Sequence, residues 1–484
     1  MTPASRAASA SALLTAAALA ALTGPGAVAA QAATPTRSTT LSFSLSYSSA
    51  AGFYLRASGT ASGPVGRTVY FQRWTGTTWT TIASGRTDRY HRYQLNTVST
   101  LAGRFSVHVY VPVSGAYKSR ISASAVATTH RNATTANLAV PAGVTWGGTA
   151  SLAFTGTTTE ARRTVYLQKY SGGKWLNVTS RVVNSAAVAG SSTRRLATVF
   201  SFAAPAWGGT SLRAVLPATA LSYGATSTGH SVTVRLAAPK VLTGEAFDTC
   251  TAPSATTMSA MKSAGWKAVG VYIGKAASSP TANDGNRNCR QPNLTKDWVA
   301  SVAAAGTGII PIYIGAQAPD SKTDIEKIPT DPTQAAALGT TEGLNAVSSA
   351  AALGIRAGSP IYLDMENWEG TSASSTDAVL AYTRAWVLAV HQHGYWAGFY
   401  GSSTYSAVSN QGLYEVVTAT GPNLPDIWWY AQNDGQDVTT NLSFLPASWP
   451  AHRIAHQYAL NAGDATLGAT LDKDAWDAPV AVVG

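Results

Sequence analysis

The sequence predicts a multidomain protein: two all-β, immunoglobulin-like sandwich modules followed by an α/β (β/α)8 TIM-type barrel. Three observations carry this reading. The chain has 484 residues, 45% of them apolar, which is too long for one ordinary domain and rich enough for large cores. A strand-rich segment with apolar–polar alternation occurs twice in the first half. After residue 240 the pattern changes to apolar strands alternating with Ala-rich helical stretches.

Residues 1–33 are read as a signal peptide. One basic residue, Arg6, precedes an apolar Ala/Leu run at 12–22, and small residues follow at Ala27-Val28-Ala29 and Ala30-Gln31-Ala32. That is the layout of a secretory leader with an Ala-x-Ala-type cleavage site. The apolar run is too short to span a bilayer, and no later stretch is long enough, so no transmembrane segment is expected after signal removal. The expected location is secreted, extracellular or associated with the cell wall.

The two sandwich modules are placed at 36–130 and 131–238. "GRTVYFQRWTGTTW" at 66–79 returns as "RRTVYLQKYSGGKW" at 162–175, so Arg67, Thr68, Val69, Tyr70, Gln72 and Trp79 recur as Arg163, Thr164, Val165, Tyr166, Gln168 and Trp175. "FSVHVYVP" and "TSLRAVLP" follow in the same order, and Gly, Thr and Ser turns separate the strands. Charge is divided sharply. Residues 36–240 hold 21 Lys/Arg and only two acids, Asp88 and Glu160, a net of +19, whereas residues 241–484 carry a net of −9. Such asymmetry assigns the halves different tasks. The basic half is expected to hold an anionic cell-wall polymer. No nucleic-acid partner is expected, because the cations are dispersed among strands without a recognised motif.

The barrel is placed at 242–484. Its strands read "GEAFDTC", "KAVGVYIG", "GIIPIYIG", "PIYLDME", "YWAGFYGS", "DIWWYAQ", "HRIAHQY" and "ATLDKDA". Helices are expected at about 254–264, 295–305, 333–353, 375–393 and 402–417. "AVHQHGY" marks one helix end, with His391 and His393 in the last turn and Gly394 beyond it. That position explains the histidine pair without a metal. No glycine-rich nucleotide fingerprint is present, and no cofactor and no metal are expected.

The chemistry is read from "SPIYLDMENWEG" at 359–370. Strand side chains alternate faces, so Ile361, Leu363 and Met365 share one face and Tyr362, Asp364 and Glu366 the other. Two carboxylates thus end a buried strand, at the end where barrel enzymes carry their sites. Neighbouring acids raise one another's pKa, which suits a proton donor beside a second carboxylate, as glycoside hydrolysis requires. Asp248 ends the first strand and Asp472 ends the last, and neighbouring strands one and eight would bring four acids to one mouth: Glu366, Asp364, Asp248 and Asp472. Candidate sugar contacts are Tyr272, Tyr313, Tyr362, Trp368, Tyr400, Trp429, Gln457 and Tyr458. The two cysteines, Cys250 and Cys289, are expected to form a disulfide in an exported protein.

"EAFDTCTAPSATTMSAMKSAGWKAVGVYIG", "NLTKDWVASVAAAGTGIIPIYIGAQAP", "GSPIYLDMENW", "GYWAGFYGSS" and "AHQYAL…LDKDAW" together resemble the actinobacterial glycoside hydrolase-like domain family, over about 242–478. That family is similar to the family 25 glycoside hydrolases, the secreted lysozymes that cut peptidoglycan. The resemblance implies that Glu366 is the proton donor. It implies that Asp364 steers the substrate N-acetyl group or stabilises the oxocarbenium-like centre, and that Asp248 and Asp472 tune charge and hold the sugar. The expected function is a cell-wall-directed glycoside hydrolase acting on peptidoglycan-like glycan. The alternative is a catalytically silent barrel that binds glycan.

Overall fold

The computed structural model describes residues 34–204, 207–275, 291–323, 325–366, 372–402, 416, 419–439 and 449–484. The segment read as a signal peptide lies outside the described residues, as do the helix expected at 402–417 (except Ser402 and Val416), Trp368 and Cys289. The chain divides into two compact units, Met1–Asn132 and Ala133–Gly484.

In the first unit a three-stranded sheet (Ser44–Tyr47, Tyr54–Thr60, Arg92–Val98) faces a five-stranded one (Thr68–Trp74, Trp79–Arg86, Gly103–Val111, Arg120–Ile121, Ala125–Thr129). Alternation explains the core: Leu55 and Ala57 from one sheet pack with Val69, Phe71, Val107 and Val109 from the other. Arg67 belongs to this interior. It is buried, and its guanidinium donates to Thr39 Oγ1 and to the carbonyls of Ser62, Pro112 and Lys118 at 2.6–2.9 Å.

The second unit begins with a similar pair of sheets. Four strands (Thr135–Ala139, Thr149–Thr158, Ala186–Ala187, Arg194–Ala203) face six (Gly143–Thr145, Arg162–Ser171, Lys174–Asn184, Gly208–Leu216, Ala225–Thr226, His230–Arg235). Phe154, Phe200, Val165, Leu167 and Leu212 fill the space between them. Arg163 is buried here as Arg67 is in the first unit, and it donates to Pro217 O.

The rest of the second unit is a closed eight-stranded barrel: β1 (Lys240–Asp248), β2 (Ala268–Lys275), β3 (Gly308–Ile314), β4 (Pro360–Met365), β5 (Trp396–Ser402), β6 (Ile427–Ala431), β7 (Ile454–Asp464) and β8 (Ala469–Val480). The expected (β/α)8 TIM-type barrel is not what forms. Among the described residues strand outweighs helix, and the barrel is mixed: β1–β7 run parallel, while β8 pairs antiparallel with both β7 and β1. The reason is local. Asp464 Oδ1 accepts from the Thr466 and Leu467 amides and folds the chain into a hairpin, which leaves no length for a crossover helix.

The described crossover helices are α1 (Ala255–Ser263), α2 (Lys296–Ala304), α3 (Pro332–Ala352) and α4 (Ala373–Gln392). Each starts where an oxygen-bearing side chain caps a free backbone N–H: Ser254, Thr295, Asp331 and Ser372. Past α4, Gly394 takes φ 85°, a left-handed stop that a side chain would disfavour. Among the described residues no helix is long and apolar enough to cross a membrane.

The barrel strands sort their side chains by alternation. Phe247, Val269, Ile309, Tyr313, Ile361, Leu363 and Met365 pack outward in the core they share with the helices. Ala246, Ala268, Ile312, Tyr362, Trp429 and Trp476 point inward. Tyr362 meets Trp429 and Trp476 edge-on at 5.8 and 5.4 Å, so aromatic rings plug the interior. Gly398 makes room for this plug, since a Cβ there would lie 2.2 Å from the Tyr362 ring. The second β module meets the barrel at the strands' N-terminal end, where Trp396 Nε1 donates to Ala237 O and Trp146 Nε1 to Gln392 O. The opposite end carries the acids.

Candidate active site at the barrel mouth

Above the aromatic plug the inward positions become polar. Asp248 ends β1, and Asp364 lies near the end of β4 with only 1% of its surface exposed. Asp472 stands directly across the β1–β8 pairing from Asp248, and Tyr400 stands across the β4–β5 pairing from Asp364. Glu366 follows β4, half-buried. Asp364, Asp248, Glu366 and Tyr272 all act on the Tyr400 hydroxyl, whose pKa burial and these neighbours drive far above its ordinary value. Tyr400 therefore stays a neutral donor.

Gln457 joins these groups. It is buried on β7, accepts from Tyr400 OH at 2.7 Å and donates to Asp248 Oδ2 at 2.7 Å. A longer contact, 3.5 Å, reaches Asp472 Oδ2, whose other oxygen accepts from the Asn461 amide at 2.6 Å. An amide suits this position because it can accept from a phenol and donate to a carboxylate at once. A cavity of about 170 Å³ opens beside it, lined by Asp248, Thr249, Cys250, Tyr272, Asn461 and Asp472, with Thr470 and Leu471. A larger cavity, about 290 Å³, lies by Lys296, Arg356 and Val483 and has no acidic side chain in its lining.

Sequence reasoning missed three groups. Asp474, two residues beyond Asp472 on the same face of β8, is fully buried. Burial, then the nearby Asp248, pushes its carboxyl well above the usual range, while the bond from Trp429 Nε1 at 2.9 Å pulls the other way. Asp474 thus keeps its proton beneath the mouth. The i, i+2 spacing in "LDKDAW" was the available signal. Gln317, buried just past β3, donates to Gly315 O and Asp364 O at 2.9 and 3.1 Å and accepts from the Glu366 amide at 2.6 Å. It ties down the backbone on both sides of Met365. Behind it, Glu342 of α3 accepts from the Ala316 amide at 2.9 Å and from Tyr382 OH. No local pattern marks either residue.

The expected sugar contacts separate. Tyr272, Tyr400 and Gln457 gather at the mouth. Trp429 supports Asp474 from below, and Tyr362, whose hydroxyl donates to Pro479 O, lies deeper in the plug. Tyr313 faces the helices, one residue out of phase with the inward Ile312. Tyr458 follows an irregularity in β7 and donates to Glu245 Oε2. Trp368 lies outside the described residues.

Of the expected Cys250–Cys289 disulfide, Cys289 lies outside the described residues, and Cys250 is not a free thiol. Among the described residues no group of three or more His, Cys, Asp or Glu could hold a metal ion. His391 instead pairs with Asp426 at 2.7 Å, and His393 meets Ala389 O.

Residues 259–476 match the family model described as Rv2525c-like, glycoside hydrolase-like domain. No curated protein matches the chain. Among solved structures, the Clostridium perfringens spore cortex lytic enzyme SleM aligns at 10% identity over 48% of this chain and 66% of its own, with a TM-score of 0.32. A calcium-binding mutant of Bacteroides uniformis β-glucuronidase 2 aligns at 10% identity over 80% of this chain and 50% of its own, TM-score 0.26. A marsupial T cell receptor aligns at 12% identity over 42% of this chain and 77% of its own, TM-score 0.18. Residues 259–476, from within α1 to within β8, are thus similar to the Rv2525c-like, glycoside hydrolase-like domain.

Proposed function

We propose that the protein is an exported, cell-wall-directed glycoside hydrolase. The observation that carries this is the convergence of Asp364, Glu366 and Asp248 on the neutral Tyr400 hydroxyl, within a glycoside hydrolase-like domain. Glu366, the more exposed of the β4 pair, is the general acid that protonates the leaving glycosidic oxygen. Asp364 stabilises positive charge as it develops at the anomeric carbon. Gln457 and Tyr400 hold Asp248 in place, and Asp474 stays neutral below, so it adds no competing negative charge. The strongly basic β modules hold the protein on an anionic envelope polymer, an attachment that weakens as salt rises.

The test is incubation of the full chain with purified peptidoglycan and other wall glycans, with products read by mass. Glu366→Gln keeps size and removes the transferable proton. Turnover should fall by about 10²–10⁴-fold while glycan binding persists. Cleavage by the wild type that Glu366→Gln leaves unchanged refutes the assignment. A wild type that binds but cuts nothing establishes the silent glycan-binding barrel instead.

A further inference from the structure

The two β modules present the same outward-facing constellation. In the first, Tyr70, Gln72 and Trp74 alternate with the buried Val69 and Phe71, so they line the outer face of the sheet. Trp79, across the hairpin from Trp74, stacks on His108 at 3.6 Å and 18°, and His108 Nε2 meets Gln72 Oε1 at 2.9 Å. In the second, Trp175 lies across from Tyr170, with the Arg213 guanidinium 4.2 Å from its ring centre. Arg213 Nε donates to Gln168 Oε1 at 2.8 Å. The strand registers are equivalent: Gln72 pairs with His108 and Gln168 with Arg213. The outer ring pairs also agree, at 5.5 Å and 52° for Trp74–Trp79 and 5.4 Å and 59° for Tyr170–Trp175.

In each module, then, one indole is braced by a stacked ring or guanidinium that a glutamine holds in turn. A second ring beside it stays open to solvent, Trp74 at 39% and Tyr170 at 48%. A cross-strand pair that only steadied a hairpin would gain little from this bracing. Rings fixed in advance lose little freedom on binding. Flat apolar faces bordered by amides, hydroxyls and cations match the C–H face and hydroxyl rim of a pyranose. Asp88 and Glu160, the only acids between residues 36 and 240, are absent from both constellations, so the border also suits acidic sugar substituents.

We propose that each face is a binding platform for a polysaccharide strand, with Trp74 and Trp79 in one module and Tyr170 and Trp175 in the other as the stacking rings. This binding differs from charge attachment because it should survive salt. The experiment is retention of the full chain on insoluble chitin, cellulose and peptidoglycan at about 1 M salt, where screening acts within about 3 Å. Polyglutamate beads serve as a polyanion without rings. Trp74→Thr/Tyr170→Thr keeps strand-forming residues and removes both exposed rings. It should bind at least one of the glycans about tenfold more weakly than the wild type, with an unchanged melting temperature. Trp74→Tyr/Tyr170→Phe keeps a ring at each site and should bind as the wild type does. The barrel mouth is identical in all three proteins, so the differences report the modules. Equal binding by the threonine variant, failure of the ring-keeping variant to bind, or wild-type retention on polyglutamate alone or on nothing would overturn the proposal.

Discussion

Replacing Glu342 by Gln tests how the helix layer supports the mouth. Glu342 has no exposed surface; its Oε2 accepts from the Ala316 amide and Tyr382 OH, while Oε1 has no hydrogen-bond partner among the described residues. Burial raises its pKa to about 7, only partly opposed by those two donors, against 4.5 for an ordinary glutamate. Below pH 4.5 the group is protonated in both folded and unfolded chains and costs nothing. Between 4.5 and 7 the unfolded chain ionises while the folded one resists, so stability falls as pH rises, and above 7 the loss is complete. A gap of about 2.5 pH units at about 1.4 kcal/mol each gives roughly 3–4 kcal/mol.

Glutamine keeps the acceptor for Ala316 and Tyr382 and removes the charge. The pH-dependent difference between Glu342→Gln and wild type should therefore grow by up to roughly 3–4 kcal/mol between pH 4 and pH 8. Urea melts of the full chain, following the tryptophan-rich barrel transition, measure it. Any constant cost of the new amide cancels between the two pH values. Parallel stability profiles for variant and wild type across this range would refute the reasoning.

Gln317→Leu removes the clamp on the Asp364 carbonyl and the Glu366 amide and leaves them without that partner. The expected cost is about 1–3 kcal/mol, with kcat falling more than KM rises, measured by melting and by steady-state glycan cleavage. Trp429→Phe takes the indole N–H donor from a fully buried carboxyl, Asp474, and should lower the melting temperature by an amount corresponding to about 1–3 kcal/mol. Arg67→Met takes a donor from the part-buried Ser62, Pro112 and Lys118 carbonyls at once. It should destabilise the first unit by about 3 kcal/mol or more in urea while leaving salt-dependent wall attachment largely intact, because Arg67 is buried and unavailable to a polymer.

Some of this was legible in the chain itself. Alternation in "IYLDME" places Asp364 inward with Tyr362, because successive strand residues must face opposite ways. The duplicated "TVY" and its trailing Trp announce paired strands, and Gly394 announces a helix end, because each follows from local backbone geometry. What local geometry does not reach, tertiary structure decided. Asp464 and its turn make β8 antiparallel, and no periodicity in "ATLDKDA" distinguishes that direction from a parallel one. Tyr313 faces helices because the register of β3 sets its neighbour Ile312 inward, although its sequence context matches that of Tyr272. Arg67 and Arg163 count as surface cations by type but are internal ties, because carbonyls of loop residues distant in sequence, such as Pro112 and Pro217, accept from them. Gln317, Gln457 and Asp474 take their roles from partners far away in sequence: the i, i+2 spacing puts Asp474 on the face of Asp472, but the chemistry of a side-chain amide or a buried carboxyl is set by whichever donors, acceptors and charges the closed barrel brings against it.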